Sequence, residues 1–132
     1  MFRERIIVDG SLTVTPGGYA LAVRLPWYRA LPVSAVEQLD VALDGVRAPA
    51  DAISFEVNGR ARSLAAARDD WDESWYVLDD GVVRVAAEVP PGSAHEVEVV
   101  LGVRIPYLPV AGKPLLMTER CVKTMSVKET AV

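Results

Sequence analysis

The chain has 132 residues, of which 51% are hydrophobic and 24% are charged, a composition typical of one globular domain. Its net charge is −4 and its isoelectric point is about 5.0, which argue against nucleic-acid binding because that requires clustered Lys and Arg. The single cysteine, Cys121, excludes an intrachain disulfide, and the sequence has no signal-peptide pattern or membrane-spanning apolar run. We therefore expect a cytoplasmic protein that neither enters a membrane nor binds nucleic acid. A mean hydropathy of +0.20 leaves apolar residues to spare for an interface.

Alternation of apolar and polar residues predicts short β-strands along most of the chain. The first two, at residues 5–8 and 11–14, flank Asp9-Gly10 and are predicted to form a hairpin. Five later segments alternate in the same way: residues 19–25, 39–43, 53–57, 83–89 and 95–105.

The residues between these segments are typical of the tight turns that connect antiparallel strands. Asp44-Gly45 and Asn58-Gly59 are tight-turn pairs, and only one or two helical turns are predicted, after Ser63 as N-cap. We predict an all-β fold, an antiparallel β-sandwich of immunoglobulin-like or jelly-roll-like type, with a barrel as the alternative.

One short sequence motif occurs twice. Residues 24–33 read RLPWYRALPV, the first repeat, and residues 104–110 read RIPYLPV, the second repeat. Proline has no backbone N–H, so each repeat is predicted to end its strand and to place a stiff, aromatic segment outside the sheet. Tyr, Trp and Arg are enriched at interface hot spots, so these segments are predicted to bind a partner.

Residues 113–132 are predicted to form an extended C-terminal arm that contacts the partner, beyond a sandwich domain of residues 1–112. The arm begins with a consecutive apolar run at Leu115, Leu116 and Met117. The predicted partner interface is therefore Arg24, Pro26, Trp27, Tyr28, Arg29, Arg104, Tyr107, Leu115, Leu116 and Met117.

Catalytic chemistry is not expected in this chain. One His and one Cys cannot complete a tetrahedral zinc site, and the acidic run of Asp69, Asp70, Asp72 and Glu73 lacks the spacing of a calcium loop. His95 falls on the core-facing register of its strand, where a structural role is expected, and no nucleophile elbow is found. We predict no catalytic residue and no metal ligand.

A second group of aromatics lies in the acidic segment. Trp71, Trp75 and Tyr76 are candidates for stacking on a sugar, because exposed aromatic rings bind sugar faces. The alternative function is therefore a stand-alone carbohydrate-binding β-sandwich.

Over about residues 1–110 the sequence resembles the small (β) subunit of C-glycoside deglycosidases. The resemblance is carried by Asp9-Gly10-Ser11, RLPWYR at 24–29 with Leu31-Pro32, Leu43-Asp44-Gly45, FEVNG at 55–59 and RIPY at 104–107. The arginine-leucine-proline-aromatic motif is the part of the resemblance that is specific to this family.

The resemblance implies that the chain is a non-catalytic partner of a larger α subunit, a TIM-type barrel that holds a divalent metal, expected to be manganese. It also implies that the complex cleaves the carbon–carbon bond between a 3-keto sugar and a flavonoid-type aglycone by a lyase-type elimination. The small-molecule C-glycoside would then be bound through the complex, and this chain would hold no cofactor of its own.

Overall fold

Twelve strands form in the described part of the chain, residues 3–90 and 92–129 of a computed structural model. In chain order they are β1 (Thr13–Thr15), β2 (Gly18–Val23), β3 (Leu31–Pro32), β4 (Val36–Leu43), β5 (Val46–Arg47), β6 (Ile53–Val57), β7 (Arg60–Arg62), β8 (Ser74–Trp75), β9 (Gly81–Val85), β10 (Ala94–Val110), β11 (Lys113–Ser126) and β12 (Lys128–Glu129). Helical structure among these residues is limited to α1 (Leu64–Ala67) and short 3-10 turns at Arg3–Arg5, Val33–Ala35 and Ala50–Ala52.

Two large sheets form the sandwich. One has the order β12-β1-β2-β9-β6-β7 and the other the order β11-β10-β4-β5, while β3 and β8 pair as a short ribbon. The pairs are antiparallel except for β1 with β12, which run parallel. The predicted all-β sandwich is thus confirmed.

The core lies between the two sheets, because alternate residues of both face inward. One cluster of buried side chains includes Leu21 and Val83 from the six-stranded sheet and Val41 and Val99 from the four-stranded sheet. Among the described residues, no helix has the length and apolar character that a membrane crossing requires.

Two predicted tight turns and the predicted helix N-cap are confirmed. Asp44 and Asn58 adopt positive φ (51° and 57°) before a glycine, as tight hairpin turns require, and they connect β4 to β5 and β6 to β7. The Ser63 hydroxyl accepts a hydrogen bond from the Ala66 N–H (3.1 Å), so it caps α1 as predicted.

The predicted first hairpin is wrong. Residues 6–8 run beside the end of β2, through an isolated bridge between Ile7 and Val23, while β1 pairs with β2. The Asp9-Gly10 turn therefore redirects the chain without pairing its two flanks, because both flanks pair with β2 instead.

The second repeat does not end its strand, contrary to the prediction. β10 continues through Pro106, where the pairing with β11 shifts register between Ile105 and Pro109. Because β4 stops pairing with β10 at Val103, no neighbouring strand needs the missing N–H of Pro106 on that side.

Much of the predicted arm is an edge strand of the chain's own four-stranded sheet. β11 pairs with β10 along nearly its whole length, and it buries Cys121 and Met125 in the core. Residues 130–132 of the arm lie outside the described residues, and contact between the arm and a partner stays a prediction.

Candidate partner-binding surface

The two repeats meet in space. The Trp27 indole N–H donates a hydrogen bond to the Tyr107 hydroxyl (2.5 Å). The Arg29 guanidinium carbon lies 5.6 Å from the centre of the Tyr28 ring and 5.9 Å from that of Tyr107, within cation–π range. The Trp27 and Tyr28 rings lie 4.7 Å apart with a tilt of 43°. We call these four residues the aromatic cluster.

The fold positions the aromatic cluster at one end of the sandwich. β2 ends at Val23, so the first repeat leaves the sheet there, as predicted. The second repeat approaches it from the part of β10 that extends beyond β4. The side chains of residues 108–110 of that repeat lie outside the described set.

Only part of the aromatic cluster faces solvent. Tyr28 is 52% exposed, Tyr107 is 44% exposed, and Arg29 is exposed as well. Trp27 and its neighbour Pro26 are buried in the chain's own structure. The surface offered to a partner is therefore two tyrosine rings with an arginine between them.

The first arginine of each repeat is held within the chain. Arg24 Nε donates to the Asp80 carboxylate (2.6 Å). Arg104 Nη1 donates to the Glu37 carboxylate (2.7 Å), and its Nη2 donates to the Ser34 carbonyl (3.3 Å). Both guanidinium groups are partly exposed, so these pairs fix the repeats while one side of each remains open.

The apolar run of the arm alternates across β11. Leu115 and Met117 pack against the core, whereas Leu116 is exposed. Leu116 pairs in register with Arg104, which places it on the outer face of the sheet next to the second repeat. The structure thus brings Leu116 and the second repeat together.

The acidic loop, residues 69–80, is organised around a buried arginine. Arg62 Nη1 donates to Asp70 (2.8 Å) and to Glu73 (3.1 Å), and its Nη2 donates to the carbonyl of Val57 (3.0 Å). The hydrogen bond from Arg62, followed by one from Asn58, lowers the pKa of Glu73 below its usual range. Asp70 and Glu73 therefore have a structural role, in which they hold this loop on Arg62.

The three candidate sugar-stacking residues do not share one environment. Trp71 is 74% exposed and Tyr76 is exposed, but Trp75 is only 1% exposed. The Trp75 indole N–H donates to the Asp79 carbonyl (3.0 Å), and its ring packs against the backbone at Gly81. Trp75 thus has no ring face open to a sugar, whereas sugar contact by Trp71 and Tyr76 stays a prediction.

His95 is buried and structural, as expected from its register. Its Nδ1 lies 2.5 Å from the Asp44 carboxylate, and its Nε2 lies 3.1 Å from the Gly92 carbonyl oxygen. Within residues 3–90 and 92–129, no three His, Cys, Asp or Glu side chains are placed together as metal ligands.

Comparison with known proteins identifies the family. A model of the C-glycoside deglycosidase beta subunit family matches residues 2–107. The chain belongs to this family. In this C-glycoside deglycosidase beta subunit, the matched region contains the whole first repeat and residues 104–107 of the second repeat.

Curated relatives extend the similarity over the tail. The chain is 50% identical over 129 residues to the 3'-dehydrocarminate deglycosidase beta subunit of a Microbacterium species, covering 98% of each chain. It is 38% identical to a C-glycoside deglycosidase beta subunit of Arthrobacter globiformis (98% of this chain, 99% of the relative). It is 36% identical to one of Microbacterium trichothecenolyticum (95% and 96%). The similarity to these three relatives therefore includes the region of β11 as well as the sandwich before it.

Leu78 is an exposed residue that sequence reasoning missed. It is 76% exposed in the acidic loop, although it follows a run of apolar residues that would ordinarily predict burial. The sequence gives only a weak indication of this exposure. Leu78 lies between Val77 and Asp79-Asp80, and the residues around it do not alternate in the way that would place Leu78 on the buried face of a strand.

Proposed function

We propose that this chain is the non-catalytic β subunit of a hetero-oligomeric C-glycoside deglycosidase whose α subunit carries out the chemistry. Family membership and the names of the relatives support the subunit role. The described residues do not supply a metal-binding set, and His95 is engaged with Asp44. The proposal therefore assigns the divalent metal, manganese, and the catalytic base to a larger α subunit with a TIM-barrel fold. The cytoplasmic location stays a prediction.

The proposed reaction is an elimination on a 3-keto C-glycoside. The keto group acidifies the neighbouring C2–H, and loss of that proton supplies the electron pair for a double bond between C1 and C2 of the sugar. The C1–aglycone bond breaks, and the aglycone carbon keeps its electron pair and takes up a proton, so no water is consumed. The name of the 50% identical relative, which acts on a 3'-dehydro compound, supports an oxidised sugar as substrate. We propose a flavonoid-type or similar aromatic aglycone.

The observation that carries the interface part of the proposal is the exposed face of the aromatic cluster. Tyr28, Arg29 and Tyr107 come from two distant segments that the fold brings together, and no described carboxylate pairs with Arg29. Such rings with an adjacent arginine are typical of interface hot spots. We propose that this face, with Leu116 and the partly open sides of Arg24 and Arg104, contacts the α subunit.

Co-expression tests the proposed function. The chain is co-expressed with a C-glycoside deglycosidase α subunit, the mixture is separated by size exclusion, and the fractions are assayed on a 3'-dehydro C-glycoside. We expect one complex that releases the aglycone, and no turnover by this chain alone. Turnover by the isolated chain, or the absence of a complex, would contradict the proposal.

Substitution at the exposed rings tests the interface. Tyr28→Ser and Arg29→Ser are each expected to weaken binding to the α subunit by about 2 kcal/mol, roughly 30-fold in Kd. Trp27→Ala is a poorer probe, because Trp27 is buried and its loss would disturb the fold itself. Titration calorimetry measures Kd, with Val46→Ser as control because Val46 is exposed beyond the opposite end of β4. Unchanged Kd in both variants would remove the cluster from the interface.

The alternative, a carbohydrate-binding module, is favoured by exposed Trp71 and Tyr76. It predicts that the isolated chain binds C-glycosides, which would change its tryptophan fluorescence. Absence of a response at saturating glycoside would exclude it.

A further inference from the structure

The acidic loop is rigidly braced. Its backbone carbonyls at Asp70 and Glu73 accept hydrogen bonds from Ser34 (3.2 Å) and Val33 (2.8 Å), and β8 within it pairs with β3. The buried Arg62 and the buried Trp75 hold it from beneath. The backbone that carries the exposed side chains of this loop is therefore held at several points.

Three large apolar side chains are nevertheless exposed on this loop: Trp71, Tyr76 and Leu78. The same loop buries Trp75 completely, so its fold is able to bury a large aromatic side chain. Large exposed apolar groups on a rigid support are typical of a contact surface rather than of a loop tip that only connects strands.

The charges of the loop are divided into two sets. Asp70, Glu73 and Asp80 are paired with arginines of the same chain. Asp69, Asp72 and Asp79 are exposed, and their carboxylates have no hydrogen-bond or ion-pair partner among the described residues. The exposed apolar residues are therefore interspersed with unneutralised negative charge, which favours a partner surface of positive charge.

The acidic loop is continuous with the aromatic cluster. Leu31, just after the first repeat's Arg29, pairs with Trp75, and Arg24 at its start bonds Asp80 at the end of the loop. The two segments thus run side by side, joined at both ends. A partner seated on the aromatic cluster would reach the acidic loop next.

We propose that Trp71, Tyr76 and Leu78 form a second contact with the α subunit, inserting into an apolar recess of that subunit lined at its rim by Lys and Arg. This inference rests on the proposed function and extends its interface to a loop that the sequence had suggested for sugar binding. The apolar side chains supply the buried contact, and Asp69, Asp72 and Asp79 face the basic rim.

Binding measurements on the full chain test the proposal. Trp71→Ser and Leu78→Ser are each expected to raise the Kd for the α subunit at least about tenfold, with Val46→Ser as the matched exposed control. Asp72→Asn with Asp79→Asn is expected to weaken binding and to reduce its salt dependence between about 0.05 and about 0.5 M NaCl. Thermal midpoints of all variants establish that the sandwich remains folded.

Iodide quenching gives an independent measurement. Trp27 and Trp75 are buried, so the quenching that Trp71→Ser removes from the isolated chain reports Trp71. This difference between the wild type and Trp71→Ser is expected to disappear at saturating α subunit. Wild-type Kd values for folded Trp71→Ser and Leu78→Ser, or a Trp71-dependent quenching difference that persists in the complex, would overturn the inference while the proposed function stands. Glycoside binding by the isolated chain that Trp71→Ser removes, with the Kd for the α subunit unchanged, would overturn it in favour of a sugar site. Failure of the wild-type chain to bind the α subunit would instead contradict the proposed function.

Discussion

Asp44 joins two strands and a buried histidine through one short side chain. Its Oδ1 accepts from the Glu96 N–H (2.8 Å), its Oδ2 contacts His95, and its own N–H donates to the Glu96 carbonyl (2.8 Å). The side-chain bond to His95, and next the backbone bond from Glu96, lower the pKa of Asp44 below its usual range. The carboxylate form is therefore the one that the fold stabilises.

The substitution Asp44→Asn tests that electrostatic contribution. Because the pKa of Asp44 is lower in the folded than in the unfolded chain, the ionised form stabilises the fold above the unfolded value, and this contribution disappears as pH falls through the folded value. The wild type is thus expected to exceed Asp44→Asn in unfolding free energy at about pH 5, and by a shrinking amount below about pH 4. Asn tolerates the same positive φ, so the backbone is matched. Urea unfolding at each pH measures the difference, and a gap that stays constant to about pH 3 would refute it.

Arg62 and Arg60 offer a matched comparison of a buried and an exposed cation. Both contact Asp70 and Glu73, but the Arg62 side chain is 3% exposed and that of Arg60 is 65% exposed. Arg62→Met is expected to cost about 3 kcal/mol because it removes the buried cation and leaves the partly buried carboxylates with the exposed Arg60 alone, whereas Arg60→Met should cost less than about 1 kcal/mol. Chemical denaturation measures both variants, and equal losses would contradict this account.

The hairpin between β10 and β11 contains a residue that does not suit its turn. Ala111 adopts a φ of 53° ahead of Gly112, in the left-handed region where a Cβ costs about 1–2 kcal/mol. Ala111→Gly is therefore expected to stabilise the chain by about 1 kcal/mol, read as a rise in thermal midpoint, with Ala66→Gly in α1 as a control that destabilises. A lower midpoint for Ala111→Gly would show that the turn does not hold this conformation.

Strands were predictable from the sequence where one face is buried, because alternation then follows packing. Leu39, Val41 and Leu43 alternate and are all buried in β4. Chain reversals without pairing were not predictable, since the Asp9-Gly10 pair resembles a hairpin turn whether or not its flanks meet. At the candidate site, the residue types of the repeats were apparent. Their contact was not, because Trp27 and Tyr107 are joined by tertiary structure alone.

At the scale of the whole molecule, the C-terminal strands connect the two sheets. β11 completes the four-stranded sheet, and β12 then pairs with β1 at the edge of the six-stranded sheet. The same segment was predicted as an extended arm that contacts a partner, and it contributes Cys121 and Met125 to the core. Any partner contact of β11 must therefore use its outer face or its free edge.

Truncation tests this connection. Removal of all residues after Gly112 is expected to abolish cooperative unfolding, because it takes Cys121 and Met125 out of the core, unpairs one edge of β10 and removes the strand beside β1. Removal of residues after Glu129 keeps β11 and β12 and should change the thermal midpoint little. A cooperative transition in the shorter chain, observed by circular dichroism, would mean that the sandwich closes without β11.

The parallel pairing of Thr13 with Lys128 also sets an order of events during translation. β1 emerges early from the ribosome, but its outer edge is not covered until residue 128 has been synthesised. Pairing across such a separation is slow, because the chain must close a long loop before the contact forms. A nascent chain therefore presents an open sheet edge for most of its synthesis, and productive assembly with another subunit is expected to follow translation.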